Sequence, residues 1–381
     1  MLAIDIFGII AAVGVVVYSL FIAYCWGKWK HVPTAPETTG TTGNLSVSIV
    51  IVARNEAASI VSLLGNIEAQ TYPGHLLEVI LVNDQSDDDT VEKAESFAAD
   101  NGMALRIIHL EATVGEGSRK KQAIKAAAAL SEADVLVLTD ADCNVQPNWV
   151  ASHINYYTHY EEAKLVFGAF CFKGSNWASA LLNLEAMSLT GVAAITNLIQ
   201  KPTMCSGANL SYRRELIQEL HPFDNNQQIA SGDDEFMLHA VQRKYPNGAF
   251  YNNKDQDSLV STDRPTSLGA LYHQRRRWAG KWKAYTVPWP RQLAVAVVAG
   301  NLGFICLFSL FLISMNPVLL IPIAVKWLAE FGFSRKISRN FNLSGLGQYF
   351  LLMEIIYPFY AVFFAIASNF GEYHWKGRVY P

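Results

Sequence analysis

Residues 46–56 have the sequence Ser-Val-Ser-Ile-Val-Ile-Val-Ala-Arg-Asn-Glu, in which a short β-branched apolar run is followed at once by polar side chains. Apolar runs of the same kind recur further along the chain, at residues 77–82, 105–109 and 135–139. The stretches between these runs are helix-like: residues 57–70, 91–101 and 120–130. Alternation of strands and helices predicts an α/β fold with a doubly wound, mostly parallel sheet. Because such sheets bind ligands beyond the carboxyl ends of their strands, we expect the chemistry directly after residues 52, 82 and 139.

Apolar segments flank this α/β region on both sides. The chain has 381 residues, of which 51% are hydrophobic and only 17% charged, a balance that predicts membrane segments. Residues 6–25 are uncharged and long enough to cross a bilayer. Lys28 and Lys30 follow this run and no basic residue precedes it, so we expect an anchor rather than a cleaved signal peptide.

The remaining apolar runs divide the chain into domains. Three of them, at residues 292–315, 317–333 and 347–370, follow Arg291. We therefore expect an N-terminal transmembrane helix at residues 1–30 and a Pro-, Thr- and Gly-rich linker at 31–44. A soluble domain at 45–285 and a membrane region of about three segments at 286–381 are expected to follow. Residues 177–199 are also apolar, but they lie inside the soluble domain and predict a buried or interfacial helix.

The basic residues predict the membrane topology. Lys28, Lys30 and the basic cluster at 275–283 favour an inner or plasma membrane protein of several spans whose soluble domain is cytoplasmic. A full span at 347–370 would then place Lys376 and Arg378 outside, against this bias. Either the tail is an exception, or one of the runs 317–333 and 347–370 is re-entrant.

Charge and cysteine content exclude other classes of protein. The net charge of −3 argues against a general nucleic-acid binder, which needs a basic face. The cysteines form no CxxC pair, which indicates neither a disulfide framework nor a zinc site and is compatible with a reducing compartment.

Asp140-Ala141-Asp142 follows the run at 135–139. In an extended segment residues i and i+2 point the same way, so the two carboxylates can hold a divalent ion. Mg²⁺ is typically held by one or two carboxylates together with substrate phosphates. The alternative is a surface pair of aspartates without a ligand.

Four further polar motifs are candidates for the site. Asn55 and Glu56 follow the first strand, and Asp84 lies after the second, in Asn83-Asp84-Gln85-Ser86-Asp87-Asp88. Lys120 begins a helix after Gly115-Glu116-Gly117-Ser118. Gly232-Asp233-Asp234 precedes the amphipathic stretch 235–244. Asp84 can accept hydrogen bonds from a base or a ribose, Lys120 can bind phosphate, and a carboxylate of the last motif can act as a general base. Each motif can equally be a helix cap or a turn.

Gln274-Arg275-Arg276-Arg277-Trp278 precedes the run at 292–315. Its arginines suit a diphosphate, and a tryptophan offers a flat face to a sugar or a base. The alternative is a basic flank that only sets topology.

The order of these motifs resembles that of the family 2 glycosyltransferases of GT-A fold, over about residues 45–278. The similarity is to the membrane-bound branch that includes ceramide glucosyltransferases, hopanoid-type lipid glycosyltransferases, and cellulose, chitin and hyaluronan synthases. It implies a Rossmann-like nucleotide-sugar-binding domain between N- and C-terminal transmembrane helices. Asn83 and Asp233 depart from the family pattern, which has Asp and Glu more often at these positions.

The resemblance also implies roles for particular residues. Asp84 is expected to contact the base, Asp140 the nucleoside, Asp142 a Mg²⁺ or Mn²⁺ ion, and Asp234 to be the catalytic base. Asn55, Glu56, Lys120, Gln274 and Arg277 are expected to contribute to the donor site, Trp278 to both sites, and Gly207, Asn209 and Asp233 to the acceptor site. The loop 205–209, with Arg213 and Arg214, matches the acceptor-side loop of the family.

The implied reaction is a single displacement with inversion, from a nucleotide sugar, with UDP-sugar the expected donor, to a hydroxyl of a lipid acceptor in the membrane. A processive polysaccharide synthase is the alternative within enzymes, and four expected membrane segments are few for a polymer channel. The tail 375–378 also resembles that of lipid-acceptor members. A membrane binding module with a degenerate transferase domain is the alternative outside enzymes. A degenerate domain would be expected to lack some of the carboxylates, whereas Asp84, Asp140, Asp142 and Asp234 are all present in this chain. Lys326 and Glu330, four residues apart, are expected to pair with each other inside a span.

Overall fold

A computed structural model describes residues 2–36, 44–111, 117–253 and 256–380. Residues 37–43 of the predicted linker, and Gly115 and Glu116 of the predicted phosphate motif, lie outside the described residues.

The strands follow the alternating pattern of the sequence. They are β1 (Val47–Ala53), β2 (Leu77–Asn83), β3 (Leu105–His109), β4 (Val135–Asp140), β5 (Leu165–Gly168), β6 (Phe170–Phe172), β7 (Leu210–Arg213), β8 (Ala249–Asn252), β9 (Val260–Thr262), β10 (Tyr373–Trp375) and β11 (Arg378–Tyr380). Within the described ranges, seven of them form one sheet in the order β3-β2-β1-β4-β7-β5-β8. The first four strands of that order are parallel, whereas β7 runs antiparallel to its neighbours β4 and β5. The predicted α/β fold with a mostly parallel sheet is therefore confirmed.

The helices cover the sheet and extend beyond it. They are α1 (Leu2–Lys28), α2 (Ile60–Glu68), α3 (Thr90–Asn101), α4 (Arg119–Leu130), α5 (Trp149–His159), α6 (Trp177–Leu198), α7 (Leu216–Leu220), α8 (Asp233–Lys244), α9 (Leu268–Gly280), α10 (Pro288–Ser314), α11 (Leu320–Asn340) and α12 (Phe350–Ala367). The predicted helix at 57–70 begins only at Ile60. Its first residues instead form a turn in which the Ala57 amide donates to the Asp88 carboxylate, at 3.0 Å.

The register of the parallel strands aligns their carboxyl ends. Val52 of β1 lies opposite Val82 of β2 and Asp140 of β4. Alternate residues of β1 face opposite sides of the sheet: Ile49 and Ile51 belong to one buried cluster and Val50 to the other. The sheet is thus buried on both faces, and its polar side chains collect at one edge.

Helix α6 joins the sheet domain to the apolar helices. Most of its residues are buried, which agrees with the helix expected at 177–199. A Cβ at Gly191 would lie 2.5 Å from the Phe333 ring and 2.8 Å from Ile337, so only glycine permits α11 to pack this closely. Among the described residues, the helices long and apolar enough to cross a membrane are α1, α6, α10, α11 and α12.

The β10–β11 hairpin, residues 373–380, lies at the carboxyl edge of the sheet. The Arg378 guanidinium pairs with Asp84, with Nη1 2.5 Å from Oδ2. The hairpin therefore lies on the same side of the apolar helices as the sheet domain. This contact does not fit a tail on the opposite side, and a re-entrant segment at 317–333 or 347–370 stays a prediction. α12 contains Pro358, which interrupts its hydrogen bonding, and its Tyr360 side chain contacts Arg275 of α9.

A buried charge cluster connects the apolar helices. The Lys326 ammonium of α11 lies 2.5 Å from Glu330, as the spacing predicts, and 2.8 Å from Glu354 of α12. The Tyr18 hydroxyl of α1 donates to the other Glu330 oxygen at 2.7 Å. One lysine thus pairs with two carboxylates in an apolar environment, and the cluster connects three helices.

We expect the substitution Lys326→Met to destabilise the protein strongly. It would leave Glu330 and Glu354 buried without a cation, and loss of one partner of a buried ion pair costs about 3–5 kcal/mol. The thermal unfolding midpoint of the detergent-solubilised protein should fall clearly. Lys336→Met, at an exposed position of the same helix, is the control and should leave the midpoint unchanged. Equal midpoints for the two variants would contradict a stabilising role for the cluster.

Candidate active site

A cavity of about 940 Å³ runs from the carboxyl edge of the sheet into the space between the apolar helices. Charged side chains line the end at the sheet: Asp84, Asp140, Asp142, Asp233, Asp234 and Arg277. Apolar side chains of α6, α10, α11 and α12 line the end between the helices: Leu189, Val192, Val297, Phe333, Met353 and Phe364. The cavity therefore joins a polar chemical site to an apolar chamber.

Asp140 and Asp142 form the possible metal site. One ligand atom each from Asp140, Asp142 and Cys143 lies within 4.8 Å of the others. Two carboxylate oxygens at this spacing are suitable ligands for Mg²⁺ or Mn²⁺. Burial raises the pKa of the Cys143 thiol well above its usual value, so this side chain is a poor ligand. The two aspartates fit the expected ion.

The two carboxylates have opposite electrostatic environments. Burial raises the pKa of Asp140, but the charge and hydrogen bond of Lys120, whose ammonium is 2.7 Å away, more than offset this and hold it below its usual value. Burial, together with the charges of Asp140 and Glu56, raises the pKa of Asp142 to about 6. Asp142 is thus the carboxylate of the pair that gains most from a nearby cation.

Asp234 lies at the start of α8, next to the loop predicted to bind acceptor. Its Oδ2 accepts a hydrogen bond from the Gly207 amide at 3.0 Å, and the Lys281 ammonium lies 3.9 Å from its Oδ1. A Cβ at Gly207 would meet Asp233 and Lys120 at 3.2 Å, so a larger residue there would crowd the site. The structure therefore brings Gly207, Asp233 and Asp234 together at the cavity wall, as the sequence predicts.

Lys120 connects the two halves of the site. Its ammonium lies 2.7 Å from Asp140 and 3.5 Å from Asp233. Burial lowers the pKa of Lys120, but the surrounding carboxylates more than offset this and raise it. Lys121 instead donates to the carbonyls of Asn226 and Ile229, at 2.7 and 2.8 Å, and stabilises the loop before α8.

The motif from Gln274 to Trp278 lies on α9, and Gln274, Arg277 and Trp278 line the cavity. Phe170 packs edge-on against the Trp278 ring, with 6.2 Å between the ring centroids. Arg275 pairs with Glu185 of α6 at 2.5 Å and lies 4.3 Å from the Trp278 ring. Within the arginine run, Arg275 therefore packs against α6 and positions the tryptophan, whereas the charge of Arg277 acts on Asp140.

Two cavity residues have partners that sequence reasoning did not identify. Asp84, predicted to contact the base, receives Arg119 on Oδ1 at 2.8 Å and Arg378 on Oδ2 at 2.5 Å. Glu56, which also lines the cavity, pairs with Lys376 of the β10–β11 hairpin. The two basic residues of the tail 375–378 are the sequence feature that could have indicated these ion pairs, but the resemblance of the tail indicates only a lipid acceptor.

Two predicted site residues do not reach the described cavity wall. Asn55 has a left-handed backbone, with φ of 55°, and its Oδ1 accepts from the Asp87 amide at 3.0 Å. It connects two loops at the exposed sheet edge, and its contact with donor stays a prediction. Asn209 is fully buried, which corrects its predicted contact with acceptor. Its Nδ2 donates to the carbonyls of Ala169 and Ser258, and its Oδ1 accepts from the Trp149 and His153 rings.

We expect Asn209→Ala to act on stability rather than on acceptor binding. The change removes the hydrogen-bond acceptor of the buried Trp149 and His153 rings, and even one such loss costs about 1–3 kcal/mol. The unfolding midpoint should fall, while protein that remains folded keeps its Michaelis constant for acceptor. A stable variant with a raised Michaelis constant would restore the binding role. Asn101→Ala, at an exposed position, is the control.

Comparison with known families identifies the class of protein to which this fold belongs. Residues 48–221 match the model described as Glycosyl transferase family 2, and residues 135–365 match the one described as Glycosyl transferase family group 2. The second match covers more than half of the chain, so the chain belongs to the family 2 glycosyltransferases. The family predicted from the motif order is thereby confirmed.

Curated relatives are glycosyltransferases, and a solved structure has the same fold. The chain is 27% identical to glycosyltransferase AglE of Haloferax volcanii, over 52% of this chain and 62% of the relative. It is 23% identical to beta-monoglucosyldiacylglycerol synthase of Synechocystis, over 64% of this chain and 49% of the relative. This chain thus spans only about half to three fifths of these curated relatives. The structure of a mannosyltransferase from Pyrobaculum calidifontis, in complex with GDP-Man and Mn²⁺, superposes with a TM-score of 0.60. That comparison covers 94% of this chain and 99% of the other at 18% identity, and it shows the shared GT-A type of fold.

Proposed function

We propose that this protein is an inverting glycosyltransferase that moves a sugar from a nucleoside diphosphate sugar to a hydroxyl of a membrane lipid. The observation that carries the proposal is the continuous cavity from the Asp140–Asp142 edge into the space between α6, α10, α11 and α12. A lipid acceptor would enter the apolar end and present its hydroxyl at the carboxylates. The diacylglycerol product named for the Synechocystis relative supports this acceptor class.

The donor would occupy the edge of the sheet. Asp142, with Asp140, would hold a divalent cation, a role supported by the carboxylate spacing and by the Mn²⁺ in the Pyrobaculum complex. When bound, that ion supplies positive charge to the diphosphate. Arg277 would stabilise the charge that develops on the leaving diphosphate, and Lys120 and Gln274 would bind the donor. Trp278 would stack against the transferred sugar or its acceptor, and Asp84 would lie beside the base.

Asp234 would be the base of the reaction. It lies on the cavity wall beside Gly207, and its hydrogen bond from the Gly207 amide fixes the orientation of the carboxylate. The acceptor hydroxyl would transfer its proton to Asp234 as its oxygen attacks the anomeric carbon, and the bond to the diphosphate breaks in the same step. One displacement inverts the configuration, and no covalent intermediate with the protein is required.

The apolar helices support a reaction at a membrane surface. We infer a multi-pass arrangement in which the domain at residues 45–285 is cytoplasmic, the side on which nucleotide sugars are available. Lys28, Lys30 and the basic residues of α9 support this side. The contact between Arg378 and Asp84 supports a re-entrant segment, either α11 or α12, which would keep the β10–β11 hairpin on the same side.

The function is tested by offering purified protein a panel of UDP- and GDP-sugars with a membrane lipid extract and Mn²⁺. Mass spectrometry of the lipid fraction should reveal one lipid whose mass increases by a single sugar. Long water-soluble chains would instead identify a polysaccharide synthase. No product with any donor, from protein shown to be folded, would contradict the proposed activity.

We expect Asp142→Asn to remove metal-dependent transfer. The amide has no negative charge to hold the ion, so Mn²⁺ affinity measured by calorimetry should fall at least about tenfold. Asp87→Asn, an exposed carboxylate at the same edge, is the matched control and should bind Mn²⁺ as the unchanged protein does. Retained activity of Asp142→Asn in excess chelator would argue against a metal role.

We expect Asp234→Asn to lower turnover far more than donor affinity. The amide cannot accept the hydroxyl proton, and loss of a general base typically reduces the rate about 10²–10⁴-fold. Initial rates of transfer and equilibrium binding of UDP or GDP measure the two effects separately, with Asp89→Asn as an exposed control. A collapse of donor binding with turnover preserved would assign Asp234 to binding instead.

A further inference from the structure

The β10–β11 hairpin is attached to the catalytic edge from two sides. Arg378 makes two parallel hydrogen bonds to Asp84, Nη1 to Oδ2 at 2.5 Å and Nη2 to Oδ1 at 3.1 Å, and Nη2 also donates to Gln85 at 2.9 Å. A bidentate arginine–carboxylate pair fixes orientation as well as position. The chain entering the hairpin is held by Arg276 of α9, which donates to the carbonyls of Phe370, Gly371 and Glu372.

The tip of the hairpin carries a lysine in an unfavourable backbone conformation. Trp375 pairs with Arg378, so Lys376 and Gly377 form a two-residue turn, and their φ angles are +47° and +76°. Turns of this kind favour Asn, Asp or Gly at the first position. A lysine held in the left-handed region is strained, and such strain is found where a side chain has a function.

That lysine points to the carboxylates of the donor site. Its ammonium pairs with Glu56, and Lys376 itself lines the cavity. It is also close enough to Asp140 and Asp142 for its charge to lower the pKa of both carboxylates. A cation from the hairpin therefore lies beside the two aspartates that would hold the metal ion and its diphosphate.

We propose that the β10–β11 hairpin is a wall of the donor site, in which Lys376 binds the diphosphate of the nucleotide sugar and Arg378 positions the hairpin through Asp84. This inference rests on the proposed function, because it requires a nucleoside diphosphate donor. An ammonium is a compact charge that suits a phosphate oxygen, and it can move from Glu56 to the diphosphate by rotation of its own side chain. The attachments through Arg276 and Arg378 favour a hairpin that stays in place when the donor binds. They argue against a plug, meaning a hairpin that occupies the donor site and must leave before the donor can bind.

The test compares nucleotide and nucleoside binding in Lys376 variants. Affinities for UDP, GDP, uridine and guanosine are measured by calorimetry with Mn²⁺ on the full-length detergent-solubilised protein. Lys376→Ala should weaken binding of the preferred diphosphate about tenfold or more and leave the nucleoside unchanged, because only the phosphate contact is lost. Lys376→Arg should retain most of the affinity. Val379→Ala, at an exposed position of the hairpin, is the control and should behave as the unchanged protein.

A double substitution tests the role of Arg378. If Arg378 acts by positioning Lys376, the loss of diphosphate affinity in Arg378→Gln should not add to that in Lys376→Ala. Additive losses would show that Arg378 binds the nucleotide independently and would overturn its positioning role.

Three results would overturn the assignment of Lys376. Tighter diphosphate binding by Lys376→Ala would show that the lysine is a plug. Equal losses for diphosphate and nucleoside would show a structural role only, and unchanged affinities would show no role. In each of these cases, sugar transfer by the unchanged protein would leave the proposed function standing. If the unchanged protein neither binds a nucleoside diphosphate nor transfers sugar, the proposed function fails and this inference fails with it.

Discussion

Val52 of β1 lies opposite both Val82 of β2 and Asp140 of β4, and the position of the site depends on this parallel register. Because the three strands end at the same level, the loops after them meet at one edge. Ile49 and Ile51 pack in one buried cluster and Val50 in the other, so a shift by one residue would exchange the side chains packed on the two faces, and the core itself disfavours it. The strand register thus determines both the packing of the core and the position of the carboxylates.

Carboxylates concentrated at one partly buried edge need cations, and the structure supplies them from separate elements. Lys120 of α4 lies between Asp140 and Asp233, and Lys281 lies between Asp234 and Glu235. Each lysine is shared by two acids, which reduces the cost of burying the charges but does not neutralise them fully. The excess negative charge is what a divalent ion would balance, and its entry would change the pairing of every group around it.

Features of the fold and site that depend on neighbouring residues in the sequence could be predicted, and those that depend on contacts between distant residues could not. Strand ends and the motifs after them depend on local sequence, so the edge carrying Asp84, Asp140 and Asp142 could be predicted. The pairing of Asp84 with Arg378 joins residues 294 positions apart, and no local pattern indicates it. Asn209 fails for another reason. A polar residue within a motif looks the same whether it faces a ligand or satisfies buried groups, and only its four internal hydrogen bonds distinguish the two.

The sheet domain and the apolar helices are two parts of one site rather than an enzyme and its anchor. Arg275 of α9 pairs with Glu185 of α6 and contacts Tyr360 of α12, while the next residue, Arg276, holds the chain that enters the hairpin. The helix that carries Gln274, Arg277 and Trp278 is therefore positioned by the apolar helices on one side and by the hairpin on the other. A fragment ending at residue 285 would lose α12, the hairpin and the apolar end of the cavity together. The carboxylates would then lie at an open edge, where solvent weakens the electrostatic interactions that the enclosed site strengthens.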